Sequence, residues 1–323
     1  MQHLMTALRA GATALVLLAS ALLGSVLPAA AQQVSAGETR EPVLRNLAPN
    51  FYFLFDFVSS NAAFLVADEG VLVIDTRQHP RDAQDLLARI RAITDKPIKW
   101  VVNTHFHGDH HYGNSVFKAE GATFVAQSET ARLMQQVAGK EFARRQAFFK
   151  SRGYDPAEVK VVTPDVTFDQ EMTIRLGSHQ VQLKYFGPGQ NPGDTFVLIP
   201  DLRLVYTPGA FGQHSLPNMN FTPSVDNWIK VLGLVAKMDV DKIVPAHGDV
   251  ATRADVSEMQ EMLADEYATV KEAAVKGMPV EEAVKVLTLD KYKDWRNYSR
   301  REQEIRAMYE LILTGKRSYF ETP

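Results

Sequence analysis

The chain has 323 residues, with 35 Lys and Arg residues, 38 Asp and Glu residues and no cysteine. This mixed, mildly acidic charge argues against a nucleic-acid partner. The lack of cysteine excludes disulfide bonds and thiolate metal ligands. The length allows one large domain or two small ones.

The first residues are typical of an export signal. An apolar run of small residues at 10–27 follows Arg9, and Pro-Ala-Ala-Ala at 28–31 offers a cleavage site before Gln32. The run is also about long enough to span a membrane as a retained anchor. We predict a cleaved signal at 1–31, because small residues follow the proline. The mature protein is then periplasmic or secreted, with no stable membrane insertion.

The next segment predicts a loose arm followed by short strands. Residues 32–49 are polar, and strand-like runs follow at 51–57, 62–67 and 71–75. The third run ends at Asp75, whose carboxylate can cap a turn or support a neighbouring functional loop.

Strands and helices then alternate along the chain. An amphipathic helix is predicted at 80–94 and a buried, β-branched strand at 98–102. Further strands are predicted at 121–126, 166–168, 172–176, 181–186, 195–199, 203–206 and 242–245, and further helices at 129–152, 225–238, 253–276 and 280–314.

The densest group of chemically active side chains lies directly after the strand at 98–102. Residues 103–111 read Asn-Thr-His-Phe-His-Gly-Asp-His-His and contain four of the nine histidines. His105 and His107 can converge on one metal if the loop turns, whereas Asp109 and His110 then point toward a second centre. Imidazole and carboxylate groups suit zinc and similar divalent metals. The pattern therefore predicts a metal-binding loop rather than a solvated histidine-rich loop.

This His-x-His-x-Asp-His motif after a strand resembles the signature of the metallo-β-lactamase superfamily. The likeness continues over roughly residues 50–255. It implies an α/β fold, the αββα four-layer sandwich, in which two mixed sheets face each other with helices outside and the site at one edge. It also implies that Asp75 braces the metal loop. We expect a metallo-β-lactamase-like domain at 50–255 and a helical C-terminal extension at 256–323.

Two positions depart from the family's pattern. The sequence Gly-Pro-Gly-Gln-Asn-Pro-Gly-Asp at 187–194 resembles the next metal loop, but Gln190 replaces the usual histidine. A neutral amide oxygen binds zinc less well than imidazole does. Ala210 replaces the aspartate that usually bridges two metals. His247, at the end of the predicted strand 242–245, matches the last ligand of the family.

The resemblance implies two groups of metal ligands: His105, His107 and the weak ligand Gln190 in one, and Asp109, His110 and His247 in the other. Only the second group retains every ligand. We therefore predict one tightly bound Zn²⁺ ion per chain and a second, weaker one only in excess metal.

The resemblance further implies a zinc-dependent hydrolase, β-lactamase-like or lactonase-like, that opens a cyclic amide, lactone or ester in a small-molecule substrate. Asp109 would orient the attacking water and transfer its proton. The alternative is a non-catalytic binding protein on a partly decayed fold, which the substitutions at Gln190 and Ala210 suggest. The intact remainder of the motif favours the enzyme.

Two features of the sequence each allow more than one interpretation. The predicted helix at 129–152 interleaves three phenylalanines with five basic residues, which fits either a helix packed on the domain or a flap over the site. Packing is favoured, because aromatic residues at helical spacing are usually buried. His214 can complete the metal site, contact substrate or lie in a surface loop, and the surface location is favoured because no motif includes it.

Overall fold

The computed structural model describes residues 41–321, so the predicted signal and the first half of the predicted arm lie outside the described residues. Two β-sheets form the centre of this part of the chain. The first sheet has seven strands in sequential order: β1 (Val43–Ala48), β2 (Phe51–Phe55), β3 (Ala62–Ala67), β4 (Gly70–Ile74), β5 (Ile98–Val102), β6 (Thr123–Gln127) and β7 (Val166–Phe168).

The second sheet has the strand order β12-β11-β10-β9-β8. Its strands are β8 (Glu171–Leu176), β9 (His179–Lys184), β10 (Phe196–Ile199), β11 (Leu204–Gly212) and β12 (Lys242–His247). Strands β4 to β7 pair in parallel, as do β11 and β12. Parallel strands bring their carboxyl ends to one edge of the sheet, which is where the metal loop begins.

The helices of residues 41–321 are α1 (Pro80–Arg91), α2 (Gly108–His111), α3 (Asn114–Ala119), α4 (Ser128–Gln136), α5 (Ala138–Arg152), α6 (Val225–Ala236), α7 (Arg253–Val275), α8 (Val280–Val286), α9 (Arg301–Thr314) and α10 (Ser318–Glu321). None of them is long and apolar enough to cross a membrane.

Three apolar clusters join these layers. The cluster between the sheets contains inward-facing side chains of both, such as Phe53 and Tyr206. On the outer face of the first sheet, Leu86 and Ile90 of α1 pack on β3 to β6. On the outer face of the second sheet, Trp228 and its neighbours join α6 to the C-terminal helices. The predicted αββα sandwich with a helical C-terminal extension is confirmed.

The prediction of a loose arm is wrong for Val43–Ala48. These residues form the edge strand β1, which pairs antiparallel with β2. The backbone groups on the free edge of β2 form hydrogen bonds with β1, and side-chain contacts also hold β1 in place. Arg45 lies over the Phe55 ring at 4.6 Å and donates to Asp249 at 2.6 Å. Because an edge strand is partly exposed, it can carry polar residues, and the polar composition of this segment therefore did not predict a strand.

Two predicted helices are interrupted. The predicted helix at 129–152 is divided at Val137 into α4 and α5. The predicted helix at 280–314 is broken between α8 and α9 by an irregular segment at 287–300. There Asn297 has a positive φ of 60°, a conformation that asparagine tolerates better than most residues. No glycine or proline marks this break, so helical periodicity alone could not predict it.

A buried pair of carboxyl groups lies where α7 and α9 pack together. Glu266 and Glu304 are almost fully buried, and none of their four oxygens has a hydrogen-bond partner in the described part of the chain. Burial raises the pKa of Glu266 to about 8, against the opposing charge of Arg301. Burial also raises the pKa of Glu304, and the neighbouring Glu266 raises it further.

The pKa of Glu266 is higher in the folded chain than its ordinary value of about 4.5 in the unfolded chain. The fold is therefore more stable at low pH, and this stability is lost as pH rises from about 4.5 through about 8. We expect the melting temperature of Glu266→Gln, relative to that of the wild type, to show a gain of roughly 5 °C as pH rises from about 5 to about 9. Thermal scans across this range measure the gain. The exposed α7 variant Glu272→Gln should show none, and parallel curves for Glu266→Gln and wild type would contradict the prediction.

Candidate metal centre

The metal loop starts where β5 ends and continues into the single turn α2. His105 and His107 come from the loop, whereas Asp109 and His110 come from the turn. All four side chains are buried, so the loop points its polar groups inward rather than into solvent. The serine hydroxyl of Ser60 donates to the carbonyl oxygen of Asp109 and ties the turn to the segment after β2.

Asp75 supports this loop from the end of β4. Its carboxylate accepts hydrogen bonds from the backbone N–H and the hydroxyl of Thr104, both at 2.8 Å. It also bonds Nδ1 of His110 at 2.8 Å, which leaves Nε2 of His110 free to face the centre. Burial raises the pKa of Asp75 to about 6, although His105 and the Thr104 bonds oppose the rise. The predicted bracing role is confirmed.

Asp109, His110 and His247 bring three donor atoms together. Nε2 of His110 lies 3.1 Å from Nε2 of His247. Oδ2 of Asp109 lies 3.4 Å from Nε2 of His247 and 3.6 Å from Nε2 of His110. Ligands of a tetrahedral divalent metal at about 2.0–2.1 Å are roughly 3.3 Å from one another. The spacing and the chemistry of this donor set therefore fit such an ion.

The His105 and His107 pair offers a less complete donor set. Their rings are 4.8 Å apart, and both Nε2 atoms are buried with no hydrogen-bond partner among the described residues. Buried imidazole nitrogens usually have a partner, so the pair can accept a metal or a ligand. With its amide oriented to suit its neighbours, Gln190 donates to Gly209 at 3.2 Å and accepts from Asn218 at 3.3 Å. Its oxygen is thus already engaged.

The position of Ala210 adds no ligand. Its side chain is buried, and its carbonyl oxygen accepts a hydrogen bond from the Trp228 indole at 2.7 Å. The residue therefore serves the packing of β11 on α6, and a methyl group cannot bridge two metals. The engaged amide of Gln190 likewise adds no free donor to the His105 and His107 pair.

Burial and neighbouring charges set the protonation states of the candidate ligands. Burial lowers the pKa of His105, His107 and His110 well below the usual range, so all three imidazoles are neutral and able to ligate. Burial acts to raise the pKa of Asp109, but Arg145 and the two nearest imidazoles outweigh it and hold the pKa well below its usual value. Asp109 is therefore a carboxylate.

Helix α5 reaches the centre through its arginines. Arg145 donates to Oδ1 of Asp109, which leaves Oδ2 directed at the imidazoles. Phe149 is fully buried, in agreement with the favoured interpretation of a packed helix. Phe148 and Arg144, however, line the cavity over the centre. The helix is both part of the packed body and a wall of the site.

Glu141 and Tyr319 are two supporting residues that sequence reasoning missed. The buried carboxylate of Glu141 accepts hydrogen bonds from the backbone N–H of Gly108 at 3.2 Å and from the Tyr319 hydroxyl at 2.6 Å. It also holds Arg144 at 2.7 Å. The segment after α9 is thereby joined to the metal loop. Only the fold brings these distant positions together.

A cavity of about 260 Å³ lies above the centre. Its lining includes the metal-loop residues His107 and Asp109, together with Gln190 and His247. Its polar lining also includes four arginines: Arg144, Arg145, Arg296 and Arg300. The apolar part of its wall includes Val58, Phe148, Phe211, Leu216, Pro217 and Met259.

His214 is not part of this cavity lining. Its Nε2 lies 2.9 Å from Glu258 and 3.9 Å from Asp255, at the N-terminal end of α7. The side chain is about 43% exposed, so the favoured interpretation of a surface histidine agrees with the structure.

Comparison with known sequences matches this architecture to one family. A model of the metallo-beta-lactamase superfamily matches residues 55–247. The chain is 26% identical over 246 residues to a linear primary-alkylsulfatase from Pseudomonas sp., covering 66% of this chain and 46% of that protein. It is 21% identical over 213 residues to the metallo-beta-lactamase type 2 of Bacillus cereus, covering 62% and 72%.

Solved structures show the same fold. The sec-alkylsulfatase Pisa1 from Pseudomonas sp. superposes with a TM-score of 0.72 at 17% identity, over 86% of this chain and 51% of that one. A metallo-beta-lactamase from Pontibacter korlensis superposes with a TM-score of 0.56 at 18% identity, over 69% and 99%. The chain spans about half the length of the alkylsulfatases that it matches. On the match over residues 55–247, this chain belongs to the metallo-β-lactamase superfamily.

Proposed function

We propose that this protein is a metal-dependent hydrolase of an anionic ester, with a sulfate monoester as the first candidate substrate. The observation that carries the proposal is the tetrahedral spacing of Asp109, His110 and His247 beneath a cavity with four arginines. Zinc bound there would polarise the ester and lower the pKa of water. The overall reaction consumes one water and yields an alcohol and hydrogen sulfate.

The residues around the donors have separate tasks. Asp109 is ionised, and its Oδ2 can accept a hydrogen bond from the attacking water and pass the proton to the leaving oxygen. Arg145 holds the other oxygen of Asp109 and so fixes the direction of Oδ2. Asp75 fixes the ring of His110. The half-exposed His247 lies where substrate can approach from the cavity.

The arginines favour an anionic substrate over a neutral lactone or ester, because a neutral ring has no charge for them to bind. Similarity to a linear primary-alkylsulfatase supports a sulfate ester. A β-lactam is the second candidate, since its carboxylate can meet the same guanidinium groups and a relative is a metallo-beta-lactamase. On its N-terminal sequence alone, we propose that the protein acts after export.

A substrate panel tests the proposal. Zinc-loaded protein is assayed with p-nitrophenyl sulfate, an alkyl sulfate, a chromogenic β-lactam, a lactone and p-nitrophenyl acetate. We expect the highest kcat/KM for a sulfate ester, loss of activity with a chelator, and recovery when zinc is restored. Zinc-loaded protein that hydrolyses none of the five would favour the alternative of a binding protein.

A further inference from the structure

The four cavity arginines fall into two kinds. Arg144 is held by Glu141 through two hydrogen bonds, of 3.0 and 2.7 Å. Arg145 is held by Asp109. By contrast, the guanidinium groups of Arg296 and Arg300 have no hydrogen-bond or ion-pair partner anywhere in residues 41–321. Two cavity cations thus lack a protein anion.

The backbone that carries Arg296 is fixed. Its N–H donates to the carbonyl of His214 at 2.8 Å, and its carbonyl accepts from Leu216 at 2.9 Å. The next residue, Asn297, donates from its side chain to Ser215 at 2.8 Å. This segment therefore presents its side chains to the cavity from a rigid support, which reduces the entropy lost on binding.

Arg296 reaches the metal-binding end of the cavity. One of its terminal nitrogens lies where a Cβ added to Gly248 would be only 3.2 Å away. Gly248 directly follows His247, which is one of the three clustered donors. A group bound by Arg296 would thus lie close to the atoms proposed to carry the chemistry.

The charges around Arg300 are not balanced by the protein. Arg300 is exposed where it lines the cavity, yet partial desolvation by the surrounding residues lowers its pKa, and the neighbouring cations Arg144 and Arg296 lower the pKa further. Glu304 attracts Arg300, but burial raises the pKa of Glu304 well above its usual range, which weakens this attraction. Asp109 also attracts Arg300, yet it is already bonded to Arg145.

The charge of Arg296 is compensated even less than that of Arg300. Partial burial lowers its pKa, and no carboxylate of the described residues opposes this effect. Arg296 is half-buried, and a cation partly removed from water is normally paired with an anion. Arg300 is exposed, but it lines the same cavity. Because the described residues supply none, water or a bound anion takes that place, and only an anion also neutralises the charge. Guanidinium groups suit sulfate and phosphate in particular, because their planar N–H groups can bind two oxygens at once.

We infer that Arg296 and Arg300 form a subsite for a tetrahedral oxyanion, which holds the anionic group of the substrate, whereas Arg144 and Arg145 serve protein carboxylates. The identity of that oxyanion as a substrate group rests on the proposed function. Both residues lie outside residues 55–247, which the superfamily model matches. The C-terminal extension therefore supplies the residues that select the substrate.

The test measures anion binding separately from turnover. Calorimetry with inorganic sulfate and with phosphate is applied to zinc-loaded wild type, Arg296→Gln, Arg300→Gln and the double variant. We expect each single change to weaken sulfate or phosphate binding about tenfold and the double change about a hundredfold or more. KM for p-nitrophenyl sulfate should rise in parallel, with a smaller change in kcat. Arg296→Lys keeps the positive charge but not the planar guanidinium group, and it should recover part of the anion binding that Arg296→Gln loses.

The control is Arg306→Gln, which removes one positive charge from an exposed position on α9 outside the cavity and should not change anion binding. Zinc affinity should stay within about twofold in every variant. A double variant that binds sulfate and phosphate as the wild type does, or a wild type that binds neither, would overturn the subsite. Arginine-dependent anion binding without hydrolysis of any ester would instead keep the subsite and overturn the hydrolase.

Discussion

Replacing Asp109 with alanine is expected to lower kcat/KM for the best substrate by at least about a thousandfold. The change removes one of three clustered donors and the carboxylate proposed to orient water. It also leaves Arg145 without its partner. Calorimetry should show that zinc binds far more weakly, and steady-state kinetics should show the loss in both kcat and kcat/KM.

Asp109→Asn separates the two effects. The amide keeps the shape of the side chain but cannot accept a proton, and it is a weaker ligand. We expect activity nearly as low as in Asp109→Ala, with more of the zinc affinity retained. Circular dichroism excludes loss of fold, and Asp201→Ala, at an exposed turn, is the matched control. An Asp109→Ala protein as active as the wild type would contradict the assignment of Asp109.

Replacing Gln190 with histidine is expected to strengthen binding of a second zinc at least tenfold. An imidazole would join the buried, unpartnered Nε2 atoms of His105 and His107. Calorimetry and metal analysis should find about one tightly held zinc in the wild type and two in the variant. Gln303→His, on the exposed face of α9, is the control for an added histidine elsewhere.

Activity of Gln190→His distinguishes two roles of the native glutamine. If a missing second metal limits hydrolysis, activity at low zinc should rise. If Gln190 shapes the site through its bonds to Gly209 and Asn218, activity should fall while metal affinity rises. Two equally tight zinc ions in the wild type would refute the predicted inequality of the ligand groups.

The sequence predicted the features that depend on neighbouring residues. The apolar strand at 98–102 and the histidine motif after it define the start of the site, because strand, turn and ligands lie within a few residues of one another. The brace at Asp75 also followed, since the family resemblance links a strand-end aspartate to the metal loop.

The cavity walls could not be predicted in the same way. Glu141 and Tyr319 are 178 positions apart and meet only because α5 and the segment after α9 pack on the same loop. Arg296 and Arg300 lie in a segment whose helical periodicity concealed an irregular turn. An arginine in such a segment resembles any surface arginine until the fold shows that it lines the cavity and bonds no carboxylate within residues 41–321.

The most direct test of the central claim is a zinc titration of chelator-stripped protein, followed by release of sulfate from p-nitrophenyl sulfate at each addition. We predict that activity rises from zero and reaches most of its maximum at one zinc per chain, the ion assigned to Asp109, His110 and His247. Absence of turnover at every zinc ratio, or full turnover in the stripped protein, would contradict the account.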